Sequence, residues 1–344
     1  MFIAKNMIVM KNIFYLIGLI LAFQFSACTT INTLYMDQLA PAEVSFPEVV
    51  KSVGIINNMP LMVGSEEDMG KTDGTLEGEG DIVAGVLAEG IAATAYFDEV
   101  VICDSSVCNM KVSLKNHQSL RKDWSGNVLS NAEATRLIDE LGVDMLFSIE
   151  RVRIELKENK SNPEYPVIDG AVTPVLRAYI AEREQPIFTF AKSDTLEWEP
   201  NPWLTFKGIV REASEYAGSM LLPKILPYWK EVVRSYYDGG SVEMRDAGVY
   251  LREHNWEEAY GLWKKVYDEK KGKQKMRAAF NLALYHEMQG EFLQAEAYLE
   301  EAGGMAEPAS VDWTLIRAYL MQLDELEKKY QQVRIQMGRF DDKN

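Results

Sequence analysis

Residues 130–149, SNAEATRLIDELGVDMLFSI, hold the clearest local signals for a fold in this chain. Ser130, with Glu133 three residues later, has the pattern of a capping box, in which the two residues satisfy each other's backbone N–H groups at a helix start. Apolar residues then recur at helical spacing until Gly142, a residue type that commonly ends helices. Residues 143–149 follow at once and are typical of a buried strand. A helix joined to a strand by one glycine predicts an α/β layer.

Elements of the same two kinds surround this stretch. Apolar alternation or apolar runs predict strands at 49–57, 99–103, 172–180 and 186–198, and apolar spacings of three and four predict helices at 82–95, 206–221 and 225–237. After Ile149 the apolar positions shift by one, so that strand is expected either to bulge or to continue as a long edge ribbon. The predicted fold is α+β, an α/β-type sandwich with a mixed sheet, over residues 48–237.

The order strand, helix, strand, helix, three strands and helix resembles the small α/β domain of envelope lipoproteins. Members of that group include the curli secretion-channel subunit and the outer-membrane activators of peptidoglycan synthases. Residues 130–149, in which a helix leads into a strand through Leu-Gly-Val-Asp, are most similar to it. The resemblance implies a shared fold but neither activity, because one fold hosts many functions.

An internal repeat follows residue 240. Five positions recur at an offset of 36 residues: Ala247, Tyr250, Trp256, Ala259 and Trp263 in the first copy, and Ala283, His286, Phe292, Ala295 and Leu299 in the second. They resemble the tetratricopeptide pattern, in which small residues let paired helices approach and large residues fill the space between them. The resemblance implies an all-α, helical-repeat (TPR-like) domain over residues 238–344 with a capping helix at its end. Turn or packing roles, not metal binding, are expected for His254 and His286.

Two repeats are fewer than the roughly three that such arrays normally need for stability. A covering element is therefore expected on the first copy. The predicted helix at 225–237 carries Trp229, Val233, Tyr236 and Tyr237 and directly precedes the repeats. We expect this helix to cover them.

The N-terminus has the pattern of an export signal. Residues 13–25 are uncharged, and Ser26 and Ala27, both small, precede Cys28. The apolar run is shorter than the ~18 residues of a membrane-spanning helix, which favours cleavage. This ending resembles the lipobox of bacterial lipoproteins, although Phe25 stands where that family usually has leucine.

The lipobox resemblance implies a signal peptide over residues 1–27, a lipid on Cys28 and a lipidated tether over residues 28–47. An ordinary cleaved signal peptide and an uncleaved anchor are the alternatives. Removal of residues 1–27 takes away two lysines and no acidic residue, which changes the net charge from −16 to −18. Such a chain is unsuited to nucleic acid or to anionic lipid headgroups, so the lipid is the evident membrane anchor.

The glycine-rich stretch 64–81, GSEEDMGKTDGTLEGEGD, has the composition of a ligand-binding loop. Five residues separate Gly64 from Gly70, where the phosphate-binding loop has four, and three of the five are carboxylates. Nucleotide binding is therefore not expected. The spacing of its acidic residues also departs from calcium-binding loops. A solvated acidic loop is the expectation, with calcium binding as the alternative.

Two cysteines remain besides Cys28. Cys103 and Cys108 are separated by DSSV, and an envelope compartment permits a disulfide between them. Two free thiols are the alternative. Metal binding is disfavoured because the nearest histidine along the chain is His117.

No G-x-S-x-G, H-E-x-x-H or C-x-x-C motif points to a reaction, so neither enzymatic activity nor a cofactor is expected. Extended repeat surfaces bind peptides and protein segments. The expected function is that of a non-catalytic protein–protein interaction adaptor, with an unknown protein partner, anchored in the outer membrane and facing the periplasm. The alternatives are a subunit of an oligomeric secretion or envelope-assembly complex and an envelope hydrolase.

Overall fold

The computed structural model of the chain describes residues 31–59, 74–103, 128–159, 161, 166–201 and 203–343. Its strands are β1 (Ile31–Ala40), β2 (Ser52–Asn57), β3 (Gly74–Glu77), β4 (Glu99–Cys103), β5 (Met145–Asn159), β6 (Val167–Tyr179), β7 (Phe188–Ala191), β8 (Asp194–Trp198) and β9 (Tyr228–Tyr237). Its helices are α1 (Gly80–Thr94), α2 (Asn131–Leu141), α3 (Phe206–Ile225), α4 (Val242–Arg252), α5 (Trp256–Glu269), α6 (Lys273–Met288), α7 (Phe292–Met305) and α8 (Val311–Met337), and a 3-10 segment follows at Gly338–Lys343. The predicted fold class is confirmed, because an α/β region with a mixed sheet precedes a run of helices.

The described residues form two compact units, each assembled from two pieces of the chain. The helical unit contains Ile31–Ala40 and Trp229–Gln331, and the sheet unit contains Pro41–Tyr228 and the residues from Gln332 onward. The sequence predicted a boundary after residue 237. The units divide nine residues earlier because β9 packs in the core of the helical unit.

The sheet unit is built on a mixed sheet of seven described strands. Its main path has the order β4-β2-β5-β6-β7, while β3 pairs with β5 and β8 pairs with β6. β2 is parallel to β4 and β5, and the other pairs are antiparallel. The parallel pairs follow from the α1 and α2 crossovers, because a helix between two strands returns the chain to the same end of the sheet.

The predicted capping box of α2 is confirmed. The Ser130 hydroxyl accepts from the backbone N–H of Glu133, and the Glu133 carboxylate accepts from the backbone N–H of Ser130 at 2.9 Å. The backbone N–H and the hydroxyl of Ser130 both donate to the Glu133 carboxylate, and these two hydrogen bonds lower the pKa of Glu133. The helix ends at Gly142, whose φ of 65° is the left-handed conformation that favours glycine.

β5 keeps one apolar face along its 15 residues by means of a bulge. Its register to β6 shifts between Ile149 and Arg151, so Glu150 is the extra residue. The side chains that share the main core are Met145, Phe147 and Ile149 before the shift, and Val152, Ile154 and Leu156 after it. The predicted bulge and long continuation are therefore present, but the strand is not at an edge, because its continuation pairs with both β3 and β6. The bulge turns Glu150 away from the main core.

Helices cover both faces of the sheet. α1 and α3 share the larger core cluster with β2, β5 and β6. On the other face, α2 packs through Ala134, Leu137 and Ile138. β2 is thus buried on both sides, as is typical of a parallel strand.

α1 and α3 approach closely at Gly218, which makes this glycine a test of the packing. A Cβ at Gly218 would lie 2.7 Å from Cβ of Val86. Gly218→Ala is expected to lower the free energy of unfolding by about 1–2 kcal/mol, because overpacking outweighs the gain in helix propensity. Gly85→Ala, where no atom lies within 4 Å of the new Cβ, is the matched control and is expected to be stabilising by up to ~1 kcal/mol. Urea denaturation compares the two; equal stabilisation by both variants would contradict the close contact.

α4–α7 form two helix pairs at the offset of the sequence repeat. α5 and α7 are displaced by 36 residues at both ends, and consecutive helices from α4 to α7 pack on one another. The equivalent turn positions, His254 and Gly290, both have positive φ, 60° and 75°. Asn255, one residue after His254, precedes α5 as its N-cap residue. The tetratricopeptide likeness stays a prediction.

Two predictions for the chain around the helical unit are wrong. Ile31–Ala40 form β1 within the predicted tether, and Tyr228–Tyr237 form β9 where a helix was predicted. α3 runs through Pro223 to Ile225, since a proline in the last turn removes one helical hydrogen bond and no more. The large residues of 229–237 recur at a spacing that fits either a helix or a strand. They form a strand because β9 pairs with β1.

The ribbon of β1 and β9 provides the cover that was expected from a helix. Leu34, Tyr236 and Tyr237 lie in the core of the helical unit. Buried Asn281 of α6 binds the end of β9, since its Nδ2 donates to the Tyr237 carbonyl at 2.6 Å and its Oδ1 accepts from the Tyr237 N–H at 2.8 Å. The Tyr237 hydroxyl donates to Asp312 at 2.8 Å. Burial, together with this hydrogen bond to a carboxylate, raises the pKa of Tyr237.

The end of α8 and the 3-10 segment belong to the sheet unit. Gln336 is buried, and its amide accepts from the Ala42 N–H at 2.9 Å and donates to the Ala42 carbonyl at 3.0 Å. The Arg339 guanidinium lies 4.2 Å from the centroid of the Tyr96 ring and donates to the Tyr96 carbonyl at 2.9 Å. Residues at the far end of the sequence therefore complete the core of this unit.

Candidate functional site

A cavity of about 610 Å³ lies in the helical unit at the start of α7. Its walls are Tyr260 of α5, His286 of α6, residues 290–294 and Tyr298 of α7, and Glu327 of α8. Cavities of about 300–1,000 Å³ are the size in which proteins bind small ligands. We call this cavity, with these wall residues, the tyrosine pocket.

The turn between α6 and α7 positions the pocket. Gly290 has a φ of 75°, and a Cβ built on it would lie 2.4 Å from the ring of Tyr330. Both conditions require glycine. The tight turn places Glu291 directly before α7 and five residues after His286.

Aromatic rings form a continuous row beside the pocket. The ring centroids of Tyr260 and Tyr285 are 4.4 Å apart, and His286 stacks on Tyr298 with centroids 5.3 Å apart. Tyr298 in turn meets the ring of Tyr267 edge-on at 5.3 Å. Tyrosine rings combine a large contact area with a polar edge, which suits a binding surface.

The two nitrogens of the His286 ring have different environments. Nδ1 lies 2.5 Å from Oε2 of Glu291, and because a carboxylate only accepts, Nδ1 carries the hydrogen. Nε2 is buried and has no hydrogen-bond partner among the described residues. In the neutral ring this nitrogen is an unused acceptor on a residue of the pocket wall.

The pocket is acidic. Its described wall residues include two carboxylates, Glu291 and Glu327, and no lysine or arginine. Glu327 is half-buried and has neither an ion pair nor a hydrogen bond within the described ranges. Beside the pocket, the Tyr285 hydroxyl donates to Glu257 at 2.7 Å, and this hydrogen bond, with partial burial, raises the pKa of Tyr285 to about 12.

A cation site that the chain fills itself adjoins this row. Nζ of Lys275 lies 4.4 Å from the centroid of the Tyr267 ring and 2.8 Å from Oε1 of Glu301. The Tyr267 hydroxyl donates to the same carboxylate. The hydrogen bond from Lys275, followed by that from Tyr267, lowers the pKa of Glu301. One aromatic face and one carboxylate thus bind an ammonium group here.

A smaller cavity of about 340 Å³ lies in the sheet unit beside α3. Its walls include Asp194 and Lys224. Asp194 accepts from the Tyr216 hydroxyl at 2.7 Å, and Lys224 pairs with Glu43. Because two of its three charged wall residues already have partners in the chain, this cavity is the weaker candidate.

Two buried ionic clusters were not predicted from the sequence. In the sheet unit, fully buried Glu150 pairs with Arg177 and accepts from the Tyr179 hydroxyl at 2.8 Å. In the helical unit, Glu287 pairs with Arg234. Neither Glu150 nor Glu287 is a wall residue of the two cavities, so we assign both clusters to stability.

The predicted repeat-packing residues fall mainly in the core of the helical unit. The buried ones are Ala247, Ala259, Trp263, Ala283, His286, Phe292, Ala295 and Leu299. Trp256 is half-buried, and Tyr250 is exposed. His286 was expected to have a packing or turn role, and the structure places it also in the wall of the pocket.

The other predicted sites are described only in part. Cys28 and Cys108 lie outside the described residues; Cys103 is disulfide-bonded, and its pairing with Cys108 stays a prediction. Of the acidic stretch, residues 64–73 are also outside, whereas residues 74–77 form β3 where a loop was expected. Among the described residues, no group of three His, Cys, Asp or Glu side chains is placed to bind a metal ion. Within the same ranges, no helix combines the length and apolarity that crossing a membrane requires.

The tyrosine pocket was not predicted from the sequence. Tyr260 and Tyr267, seven residues apart on one helix, share a face and were the available signal. Tyr298 of α7 and Glu327 of α8 border the same pocket as Tyr260 only through the packing of the helical unit, which no local pattern predicts.

Comparison with known proteins gives two matches to protein families. Residues 245–325, within the helical unit, match a Domain of unknown function (DUF6340). Residues 50–237, which hold the mixed sheet and β9, match a Domain of unknown function (DUF8603). No curated protein matches the chain. Since the match to residues 50–237 covers more than half of its length, the chain belongs to the DUF8603 family.

Proposed function

We propose that the chain is a non-catalytic lipoprotein of the bacterial envelope that binds a segment of another protein in the tyrosine pocket. The observation that carries the proposal is a cavity of about 610 Å³ bordered by an aromatic row. Leu293, a wall residue, is 81% exposed. Exposed apolar residues beside a concave surface are typical of interaction sites, and aromatic residues are enriched in them.

The chemistry of the pocket supports binding over catalysis. His286, oriented by Glu291, has the arrangement of a general base. In the triad mechanisms such a base activates a serine or threonine hydroxyl or a cysteine thiol, and the described wall residues contain none of these three residue types. This composition favours the adaptor over the envelope hydrolase.

The proposed location in the envelope depends on Cys28. β1 begins at Ile31, three residues after that cysteine. Three extended residues span at most about 10 Å, so a lipid on Cys28 would hold the start of β1 next to the membrane surface. The partner is therefore expected to be a membrane protein or another protein near the membrane.

A second candidate function is that of a subunit in an oligomeric envelope complex. It is favoured by the outer face of the β1–β9 ribbon. Tyr35, Trp229 and Val233 are 60%, 71% and 49% exposed. Trp229 and Val233 are an even number of residues apart and so share a face, which could pair with a second subunit.

Site-specific photo-crosslinking in cells tests the adaptor role. A crosslinking amino acid at Leu293 is expected to capture a discrete envelope protein. The matched control is the same amino acid at Met321, which is 80% exposed in the helical unit but is not a wall residue. Equal capture from both positions, or capture from neither, would contradict the proposal. A second copy captured from Trp229 would favour the oligomeric alternative.

The anchor is tested separately by Cys28→Ser. The wild-type chain is expected to enter the detergent phase of extracted membranes, and the variant is expected to leave it. A variant that stays with the membrane would contradict lipidation of Cys28.

A further inference from the structure

We propose that the tyrosine pocket recognises an arginine side chain, whose guanidinium enters the acidic, aromatic cavity of the helical unit. The inference deepens the proposed function and rests on it, because the arginine would belong to the bound segment of the partner. It names the chemistry by which the segment is selected.

The pocket wall offers hydrogen-bond acceptors that have no partner within the described chain. Unused acceptors in the wall are Nε2 of His286 and the carboxylate of Glu327, and Glu291 keeps the oxygen that does not bind His286. No lysine or arginine among the described wall residues supplies a cation. A ligand that donates to these acceptors fits the wall, and guanidinium offers five N–H donors and no acceptor.

The neighbouring cation site, which the chain fills itself, has similar chemistry. There the Tyr267 ring and the Glu301 carboxylate hold Lys275. The pocket repeats this chemistry with Tyr298, whose ring contacts Tyr267, and with Glu327. No cation of the described chain is among its walls.

The shape of the site favours arginine over lysine. Guanidinium is planar, stacks on aromatic rings and binds carboxylates through two hydrogen bonds, whereas ammonium is a compact point charge. A cavity of about 610 Å³ leaves room for the side chain with its flanking backbone.

The start of α7 lines the pocket, and a helix N-terminus carries partial positive charge, which by itself favours an anion. Here Glu291 stands at that terminus and supplies the negative charge from within the chain. The described wall residues hold two carboxylates and no lysine or arginine, so the net preference is for a cation.

NMR of the mature, full-length chain with short peptides tests the inference. The chain has three histidines, so the His286 ring signals are readily assigned with a His286→Gln variant. The probes are acetyl-Gly-Arg-Gly-amide, its lysine analogue and its citrulline analogue, which keeps the shape but loses the charge. The arginine peptide is expected to shift the His286 signals and to bind about tenfold more tightly than the citrulline peptide.

Two variants separate the pocket from general surface charge. Glu327→Gln is expected to weaken arginine binding about tenfold, while Glu325→Gln, an exposed carboxylate on the same helix, leaves it within about twofold. The inference is overturned if no peptide shifts His286, if citrulline or lysine binds as well as arginine, or if Glu327→Gln binds like the wild type.

The two experiments can contradict the proposed function and this inference independently of each other. A protein captured at Leu293 without any arginine-dependent shift at His286 would leave the adaptor role standing and overturn the arginine pocket. The reverse result, arginine binding without a captured protein, would support the pocket chemistry and count against the adaptor.

Discussion

Glu287→Leu is expected to lower the free energy of unfolding by about 3–5 kcal/mol, the range for removing one partner of a buried ion pair. Glu287 is 2% exposed, and its carboxylate accepts from Arg234 at 2.8 Å and from the Tyr319 hydroxyl. Without the carboxylate, a guanidinium that is itself largely buried loses its counter-charge. Urea denaturation measures the loss as a lower midpoint at an unchanged slope.

The control for this prediction is the triple variant Arg234→Met, Glu287→Leu, Tyr319→Phe. It is expected to recover to within about 1–2 kcal/mol of the wild type, because an apolar replacement of a whole buried cluster leaves no charge unpaired. A single variant as stable as the wild type, or a triple variant no better than the single one, would show that an unpaired charge is not the cause.

Arg177→Leu is expected to have an effect of similar size in the sheet unit, about 3–5 kcal/mol. Glu150 is fully buried at the bulge of β5. The variant leaves it hydrogen-bonded to the Tyr179 hydroxyl but without the positive charge of Arg177. Burial of a carboxylate without a counter-charge is strongly unfavourable. Thermal or urea unfolding monitored by circular dichroism measures the loss.

The matched control is Arg136→Leu. Arg136 also pairs with a glutamate, but both side chains are 52% exposed, so the variant is expected to lose less than about 0.5 kcal/mol. If the two arginine variants unfold alike, burial is not what makes the pair in the sheet unit important.

The elements predicted correctly are those whose signals are local. The α2 helix and the strand after it depend on a capping box, one glycine and apolar spacing, all within 20 residues. The bulge was detectable because the apolar period of β5 changes at Ile149, and only an extra residue keeps such a strand on one core.

The elements missed depend on partners that are distant in sequence. In residues 228–237 the large side chains follow a strand spacing no more clearly than a helical one. The strand forms because β1 pairs with it. The same holds for Glu150, Arg177, Glu287 and Arg234, charged residues that on sequence alone are expected at the surface. Their burial follows from the assembled core, which brings each pair together across 27 or more residues.

The pocket was missed for a related reason. The repeat pattern identified His286 through its packing position, and packing indeed buries its ring between Tyr260 and Tyr298. Whether such a residue also borders a cavity depends on how α8 and the α6–α7 turn close around it. Glu327, on α8, lies outside both copies of the repeat, so the repeat pattern contains no information about it.

The pairing of β1 with β9 also sets the order in which the chain can fold. About 190 residues separate the two strands, and contacts of such high contact order form late because a long loop must close first. The strands of the mixed sheet lie between β1 and β9, so β1 is synthesised before them and can pair only after β9 has been made. During that interval β1 is a strand with an open edge, and open edges are where misassembly begins. Early capture of β1 by a chaperone, or its attachment beside the membrane, would protect the chain until β9 is available.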